Sequence, residues 1–245
     1  MKRLRSSPGY DRREFLKLLG LGSAAMLAGE PFGGTGDDAV ALAAAFSACV
    51  VRPEQTEGPY FVDEKLHRSD IRSDPADNSV KPGVPLRLHF HLSRISGAAC
   101  EPLNGAMVDV WQCDALGAYS GVRDGRFDTR GKKFLRGYQL TDAKGAAEFL
   151  TIYPGWYQGR AVHIHFKIRS GAQDARAHEF TSQLYFDDAV NDQVFKQAPY
   201  NAQRGRRLMN ESDFIFRRGG NELLLAPPKS SEGYAATMAI GLKLV

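Results

Sequence analysis

The chain has 245 residues, a formal net charge of +4 and 43% hydrophobic residues. This length suits one domain with a sizeable core or at most two small ones. The charge is too small to predict an acidic partner, and no Lys/Arg run beyond residue 17 indicates nucleic-acid binding.

The N-terminus carries the pattern of an export signal. Arg12-Arg13-Glu14-Phe15-Leu16-Lys17 fits the twin-arginine motif, and the uncharged stretch Leu18–Gly29 follows it. Ala43-Ala44-Ala45 supplies small residues for a signal peptidase. We predict a signal peptide over 1–45 and one mature domain over 46–245, periplasmic or extracellular and without a stable membrane span. An amphipathic N-terminal helix or a membrane anchor is the alternative.

The mature part contains the three cysteines, Cys49, Cys100 and Cys113. An oxidising destination permits one disulfide. We predict Cys49–Cys100, because Cys113 lies in the middle of a strand-like run and is expected to pack there rather than to bind a metal. Lipid attachment at Cys49 is an alternative use of that residue.

Short strand-like runs alternate with Gly, Pro, Asn and Asp over the rest of the chain. Asp142-Ala-Lys-Gly145 predicts a hairpin, and a turn or two of helix is expected near Ala189–Gln197. The runs favour an all-β fold, an antiparallel β-sandwich with long loops carrying the site. The predicted strands are Leu86–Ile95, Ala106–Cys113, Phe134–Leu140, Ala147–Ile152, Ala161–Ile168, Glu179–Phe186, Ser212–Phe216, Leu223–Leu225 and Ala235–Leu244.

Two histidines two residues apart, His163 and His165, lie in the apolar run Val162–Ile168. On a strand, residues i and i+2 point to the same side, so both imidazoles would face one metal ion. Two imidazoles alone are compatible with zinc, copper, iron or nickel. His89 and His91 share this spacing but lack a nearby Tyr/Arg turn, and we interpret them as a solvated strand face.

Oxygen donors narrow the choice of metal. No Asp or Glu occurs between Phe149 and Asp174, which disfavours a cupin or a site of two histidines and one carboxylate. Tyr119 and Tyr157 instead end Gly- and Pro-containing turns. Phenolate is a hard anionic donor that suits ferric iron better than zinc, and Fe(III) would lower the phenol pKa enough to ionise it.

These residues resemble those of the intradiol ring-cleavage dioxygenases, the protocatechuate 3,4-dioxygenase and catechol 1,2-dioxygenase superfamily. The similarity covers about 130 mature residues in family order. It implies a β-sandwich with a non-haem Fe(III) site. The matching segments are Thr56-Glu-Gly-Pro-Tyr-Phe61, Val108–Tyr119, Gly137–Gly145, Tyr153–Ile168 and Ser182–Phe186.

The resemblance implies a ligand set of two tyrosinates, Tyr119 (equatorial) and Tyr157 (axial), and two imidazoles, His163 (equatorial) and His165 (axial). Arg160 corresponds to the active-site arginine of the family. With O₂, such a site would cleave a catechol-type ortho-diol between its hydroxylated carbons to a cis,cis-muconate-type diacid.

Roles in the reaction follow from the same resemblance. Tyr157 would leave the iron and accept a substrate proton. Arg160 would stabilise negative charge that develops on the substrate. Gln183 corresponds to a glutamine beside the iron ligands.

Two rival functions stay open at this point. An exported β-sandwich module that binds aromatic or sugar ligands without catalysis should lack a ligand or the arginine, whereas all five residues are present. A zinc hydrolase is disfavoured by the two tyrosines and the missing carboxylate. The chain has a predicted export signal and lacks the long N-terminal helical segment of the catechol 1,2-dioxygenases, so whether it forms a homodimer and whether it uses the usual monocyclic substrate stay open. From the exported location we expect plant- or lignin-derived catechols.

Overall fold

A computed structural model describes residues 49–171 and 178–244. The predicted signal peptide, 1–45, lies outside the described residues. Strands account for most of the regular structure in the described ranges. They are β1 Pro85–Ser96, β2 Ala99–Pro102, β3 Met107–Trp111, β4 Arg136–Leu140, β5 Ala146–Ile152, β6 His163–Arg169, β7 Glu179–Phe186, β8 Leu224–Leu225, β9 Lys229–Ser230 and β10 Gly233–Leu242.

The strands form two five-stranded sheets, which confirms the all-β sandwich. One sheet has the order β2-β1-β10-β9, with β5 also paired to β1, and the other has the order β4-β3-β6-β7-β8. Most neighbours are antiparallel, as predicted, but β1 pairs in parallel with β10 and β7 with β8. Parallel neighbours need a crossover connection, and between β1 and β10 the chain builds the whole second sheet.

The core lies between the two sheets. Along β1 the residues alternate, with Leu86, Leu88 and Phe90 buried and Arg87 exposed. The Phe90 ring lies 5.3 Å from the ring of Phe166 on β6, across the sandwich. Every residue of β6 from His163 to Ile168 is buried, so this strand is covered on both faces. Its inner face belongs to the core, and loops cover its outer face.

The sequence prediction of a strand over Ser212–Phe216 is wrong. The chain forms a 3₁₀ turn at Asn210–Ser212 and continues in turns. The Asp213 carboxylate accepts the backbone N–H groups of Ile215 and Phe216 at 2.7 and 3.2 Å, which closes the turn. A local side-chain bond of this kind competes with extended structure.

The predicted hairpin at Asp142–Gly145 is a tight turn, but it does not join paired strands. Asp142 accepts the N–H of Gly145 at 2.9 Å, and its side chain accepts those of Lys144 and Ala146. The turn connects β4 to β5, which belong to different sheets. Gly145 has φ +72°, and a Cβ there would lie 2.2 Å from the Leu92 carbonyl oxygen, so glycine is required.

One α-helix in the described ranges, α1 at Asp188–Val194, fits the helical turns expected near residue 190. Asp187 caps it by accepting the N–H of Ala189 at 2.8 Å. None of the described helices is long and apolar enough to cross a membrane.

The predicted disulfide between Cys49 and Cys100 is present, and Cys113 is buried as a free thiol. The bridge joins residues 51 positions apart, which ties the start of the described chain to β2. A cross-link that closes a loop of this size restricts the unfolded chain and stabilises the fold by up to about 4 kcal/mol in the chain-entropy model.

We therefore expect the double variant Cys49→Ser/Cys100→Ser to unfold at lower urea concentration, with a loss of about 2–4 kcal/mol. Equilibrium urea unfolding followed by tryptophan fluorescence measures this loss. Reductant should destabilise the wild-type protein similarly and leave the double variant unchanged. An unfolding midpoint in the wild type that ignores reductant would contradict the prediction.

Candidate metal centre

Two imidazoles form the base of the centre on β6. His163 and His165 are 2% and 1% exposed, and their Nε2 atoms lie 3.0 Å apart. β6 runs between β3 and β7, so His165 is opposite Trp111 on one side and Gln183 on the other. The Trp111 and His165 rings stack at 5.0 Å, which holds the second imidazole in place.

The hydrogen bonds of His163 orient its ring. Its Nδ1 donates to the Ala161 carbonyl at 2.7 Å, so the lone pair on Nε2 faces the centre. Burial and the nearby Arg160 lower the pKa of His163, and burial and His163 lower the pKa of His165. Both rings are therefore neutral, the form that binds a metal.

The two tyrosines come to the same point from separate loops. The Tyr119 hydroxyl lies 3.5 Å and the Tyr157 hydroxyl 3.3 Å from Nε2 of His163. Their rings meet edge to face at 5.7 Å. Two phenol oxygens and Nε2 of His165 thus lie within 3.5 Å of Nε2 of His163.

A tight packing of the two loops sets this convergence. Asp114 closes the first loop by accepting the N–H groups of Leu116 and Ala118, each at 3.0 Å. Gly155 of the second loop donates its N–H to the Asp114 carbonyl at 3.2 Å. A Cβ at Gly155 would lie 2.4 Å from that carbonyl oxygen. Only glycine allows the backbones, and hence Tyr119 and Tyr157, to approach this closely.

The chemistry of these donors fits a ferric ion. Burial raises the pKa of the Tyr119 and Tyr157 phenols well above the ordinary value, although Arg160 opposes the shift. A strongly charged cation would therefore be needed to ionise them, and a hard trivalent ion is the partner that phenolate prefers. Across 49–171 and 178–244, no group of three or more His, Cys, Asp or Glu residues is suited to a metal. An ion here would depend on the phenols.

Arg160 reaches the centre from the turn that leads into β6. Its guanidinium lies 3.5 Å from Nε2 of His163 through NH1. Nε donates to Asp213 at 2.9 Å, and NH2 donates to the Gln183 side-chain oxygen at 2.5 Å. All the site residues proposed from the sequence are thus brought together, and Gln183 reaches the centre through Arg160.

The segment that covers the pair, Thr56–Phe61, was identified from the sequence as a matching motif, but no site residue was assigned to it. The Tyr60 ring stacks on that of Tyr119 with centroids 4.4 Å apart. Gly58 has φ +72°, and a Cβ there would lie 3.3 Å from Cε1 of His165. The Thr56–Phe61 motif was the available signal, but a motif on a loop does not show which strand it covers.

Arg136 was also missed. It is 3% exposed, and it donates from Nε to the Ser120 hydroxyl at 2.8 Å and from NH1 to the Tyr60 carbonyl at 3.3 Å. These bonds fasten the residue after Tyr119 to the covering segment. Burial lowers the pKa of Arg136 to about 10, which leaves it cationic at neutral pH.

Comparison with known proteins gives consistent matches. The family model described as Dioxygenase matches residues 56–221. The β chain of protocatechuate 3,4-dioxygenase from Burkholderia cepacia is 31% identical over 142 residues, which are 53% of this chain and 59% of that one. Chlorocatechol 1,2-dioxygenase from Pseudomonas sp. (strain P51) is 29% identical over 185 residues, 66% of this chain and 69% of that one. This chain thus spans less than two thirds of the Burkholderia relative.

Solved structures of dioxygenases are also similar to this chain. An intradiol ring-cleavage dioxygenase from Tetranychus urticae superposes with a TM-score of 0.68 at 31% identity, covering 80% of this chain and 96% of that one. The dioxygenase domain of a dioxygenase–carbohydrate-binding fusion protein from the cellulolytic bacterium Streptomyces sp. SirexAA-E has a TM-score of 0.57 at 29% identity, covering 80% and 100%.

The second histidine pair provides an internal control. His89 lies on the outer face of β1 with its side chain 35% exposed, and its Nδ1 is 3.8 Å from a Glu148 carboxylate oxygen. If His165 is a ligand, we expect His165→Ala to weaken Fe(III) binding by at least about 100-fold, because a buried donor is lost, and His89→Ala to leave it unchanged. Titration of the metal-free proteins with chelated Fe(III), followed by metal analysis, measures both. Equal iron content in the two variants would rule out this ligand set.

Proposed function

Because the chain belongs to the Dioxygenase family, in the superfamily of intradiol ring-cleaving enzymes, we propose that it cleaves catechol-type ortho-diols with O₂ between the hydroxylated carbons. The product would be a cis,cis-muconate-type diacid. The observation that carries the proposal is the approach of two phenol oxygens and Nε2 of His165 to Nε2 of His163, beside a part-buried guanidinium.

We propose Tyr119, Tyr157, His163 and His165 as the ligands of one Fe(III). When bound, the ion would act as a Lewis acid that both oxygens of the diol chelate, and it would make the ring reactive towards O₂. The two neutral imidazoles and two ionisable phenols would leave coordination positions for the diol. A catalytically inactive binding module would not need this complete set together with Arg160.

The two phenols are held unequally, and this supports different roles. Tyr119 is 2% exposed, stacked on Tyr60, and followed by Ser120, which Arg136 anchors. Tyr157 is less deeply buried and lies in the turn before Arg160. We infer that Tyr119 stays in place, while Tyr157, ionised when the metal is bound, would move aside as a phenolate and accept a proton from the diol.

Arg160 would act on the negative charge of the substrate. Burial opposes its charged form, but the Tyr157 and Asp213 side chains raise its pKa above the ordinary value, so the guanidinium stays cationic. Its NH1 faces the centre while its other nitrogens are bound. A fixed cation beside the diol oxygens stabilises charge that develops there.

We also propose export through the twin-arginine pathway to the periplasm or the exterior. The Cys49–Cys100 disulfide supports this location, since disulfides persist in oxidising compartments. Plant- or lignin-derived catechols are then the expected substrates. The similar Streptomyces domain, part of a carbohydrate-binding fusion from a cellulolytic bacterium, supports that choice.

Oxygen uptake against a panel of catechols tests the reaction. The iron-loaded protein should consume one O₂ per diol and yield the ultraviolet spectrum of a cis,cis-muconate-type diacid. It should also be wine-red through charge transfer from tyrosinate to Fe(III). A product of cleavage outside the diol would exclude the reaction, and a colourless iron-loaded protein would exclude tyrosinate ligands.

Tyr157→Phe separates metal binding from substrate binding. We expect the variant to keep most of its iron through the other three ligands but to bind catechols about 100-fold more slowly, because the internal base is missing. Stopped-flow absorbance under anaerobic conditions measures the rate, with Tyr138→Phe on β4 as the matched control. Wild-type binding kinetics in Tyr157→Phe would refute the release role.

A further inference from the structure

Asp213 is the most deeply enclosed acid near the centre, with 0% exposure. Its Oδ1 accepts the N–H groups of Ile215 and Phe216. Its Oδ2 accepts the Ala161 N–H at 2.7 Å and the Arg160 Nε–H at 2.9 Å. One oxygen therefore closes its own turn, and the other binds the chain just before β6.

The Oδ2 contacts join the arginine to the metal-facing histidine. Ala161, whose N–H binds Asp213, is the residue whose carbonyl accepts the Nδ1–H of His163 at 2.7 Å. The same carboxylate oxygen thus binds the Arg160 guanidinium and the N–H of Ala161, the residue whose carbonyl orients the imidazole. A displacement of Asp213 would move both.

The guanidinium has three nitrogens, and hydrogen bonds hold two of them in place. Nε is bound by Asp213 and NH2 by Gln183, which leaves NH1 directed at the centre, 3.5 Å from Nε2 of His163. Gln183 is held in turn, since its amide donates to the Thr56 carbonyl at 2.8 Å. Because guanidinium is planar, two anchored nitrogens determine where the third points.

We propose that Asp213 is a positioning residue that sets Arg160, and with it His163, for ring cleavage. This inference rests on the proposed function. Asp213 does not reach the reacting atoms itself. Its buried carboxylate hydrogen-bonds both the Arg160 side chain and the Ala161 N–H, and its charge offsets that of the part-buried guanidinium.

A purely structural role is the competing explanation, and Asp74 supplies the matched control. Asp74 is 1% exposed, and its two oxygens accept the backbone N–H groups of Ala76 and Lys133 at 2.9 and 3.0 Å. It closes a turn as Asp213 does but binds a different part of the chain. Asp74→Asn therefore reports the cost of losing a buried turn-closing carboxylate.

The test is a double-mutant cycle of Asp213→Asn and Arg160→Met in the full, iron-loaded protein, measured by oxygen uptake with catechol. The side-chain NH₂ group of the asparagine would replace Oδ2 and face two other donors, the Ala161 N–H and the Arg160 Nε–H. It cannot accept from them, so Arg160 is released. We expect Asp213→Asn to lower kcat about 100-fold with KM within about 3-fold. In the Arg160→Met background the same change should cost at least about 10-fold less, and the loss that remains measures the effect through Ala161 and His163.

Asp74→Asn should lower the melting temperature but leave kcat unchanged. If Asp213→Asn behaves as Asp74→Asn does, or if its effect on kcat is undiminished in Arg160→Met, the positioning role is wrong. Should Asp213→Asn fold poorly, Asp213→Glu, which keeps the charge but shifts the oxygen, enters the same cycle.

A readout independent of activity is the crystal structure of metal-free Asp213→Asn. The guanidinium of Arg160 should have left its position beside His163, whereas an unmoved Arg160 would overturn the proposal. The crystal structure tests the placement of Arg160 even if the wild-type protein cleaves no catechol. In that case the proposed function fails, while the structure still shows whether Asp213 positions Arg160.

Discussion

The centre depends on one strand that is buried on both faces. Along β6, Ile164, Phe166 and Ile168 fill the core, and the alternation of a strand then directs His163 and His165 to the opposite face. A slip of one residue would exchange the two sets and place imidazoles in the core, so the register is fixed by packing. The core therefore determines which atoms face the proposed metal position, and the loops add the remaining donors.

Burial also sets the electrostatics of this face. It keeps the imidazoles neutral and the phenols protonated, while Arg160 and Arg136 bring positive charge nearby. Asp213 offsets the first arginine. The second donates to neutral oxygens of Ser120, Tyr60 and Val62, and ionisation of Tyr119 would favour its charged form. Both arginines would therefore stabilise the ionised Tyr119 phenol, as the proposed metal ion would.

Local patterns predicted what depends on neighbours in sequence. The alternation along a strand, the Pro-Gly turn before β6 and the spacing of the histidines each involve residues that are only a few positions apart in the sequence. Pairing in space is different: the parallel contact of β1 with β10 joins residues about 150 positions apart, and no local signal encodes it. The contact of Asp213 with Arg160 was not predicted for the same reason, since the two residues are 53 positions apart. The segment around Asp213 also has the composition of a strand.

The two histidine pairs show what turns a spacing into a site. His89 and His91 also share one face of a strand, but that face is partly open and His89 lies near Glu148. Around His163 and His165, separate loops exclude water and bring phenols to within 3.5 Å of a nitrogen that Ala161 has oriented. An exposed imidazole is solvated, whereas a buried neutral one beside phenols that a cation would ionise gains most from a cation. Enclosure of the face, and not the His-x-His spacing, accounts for the difference.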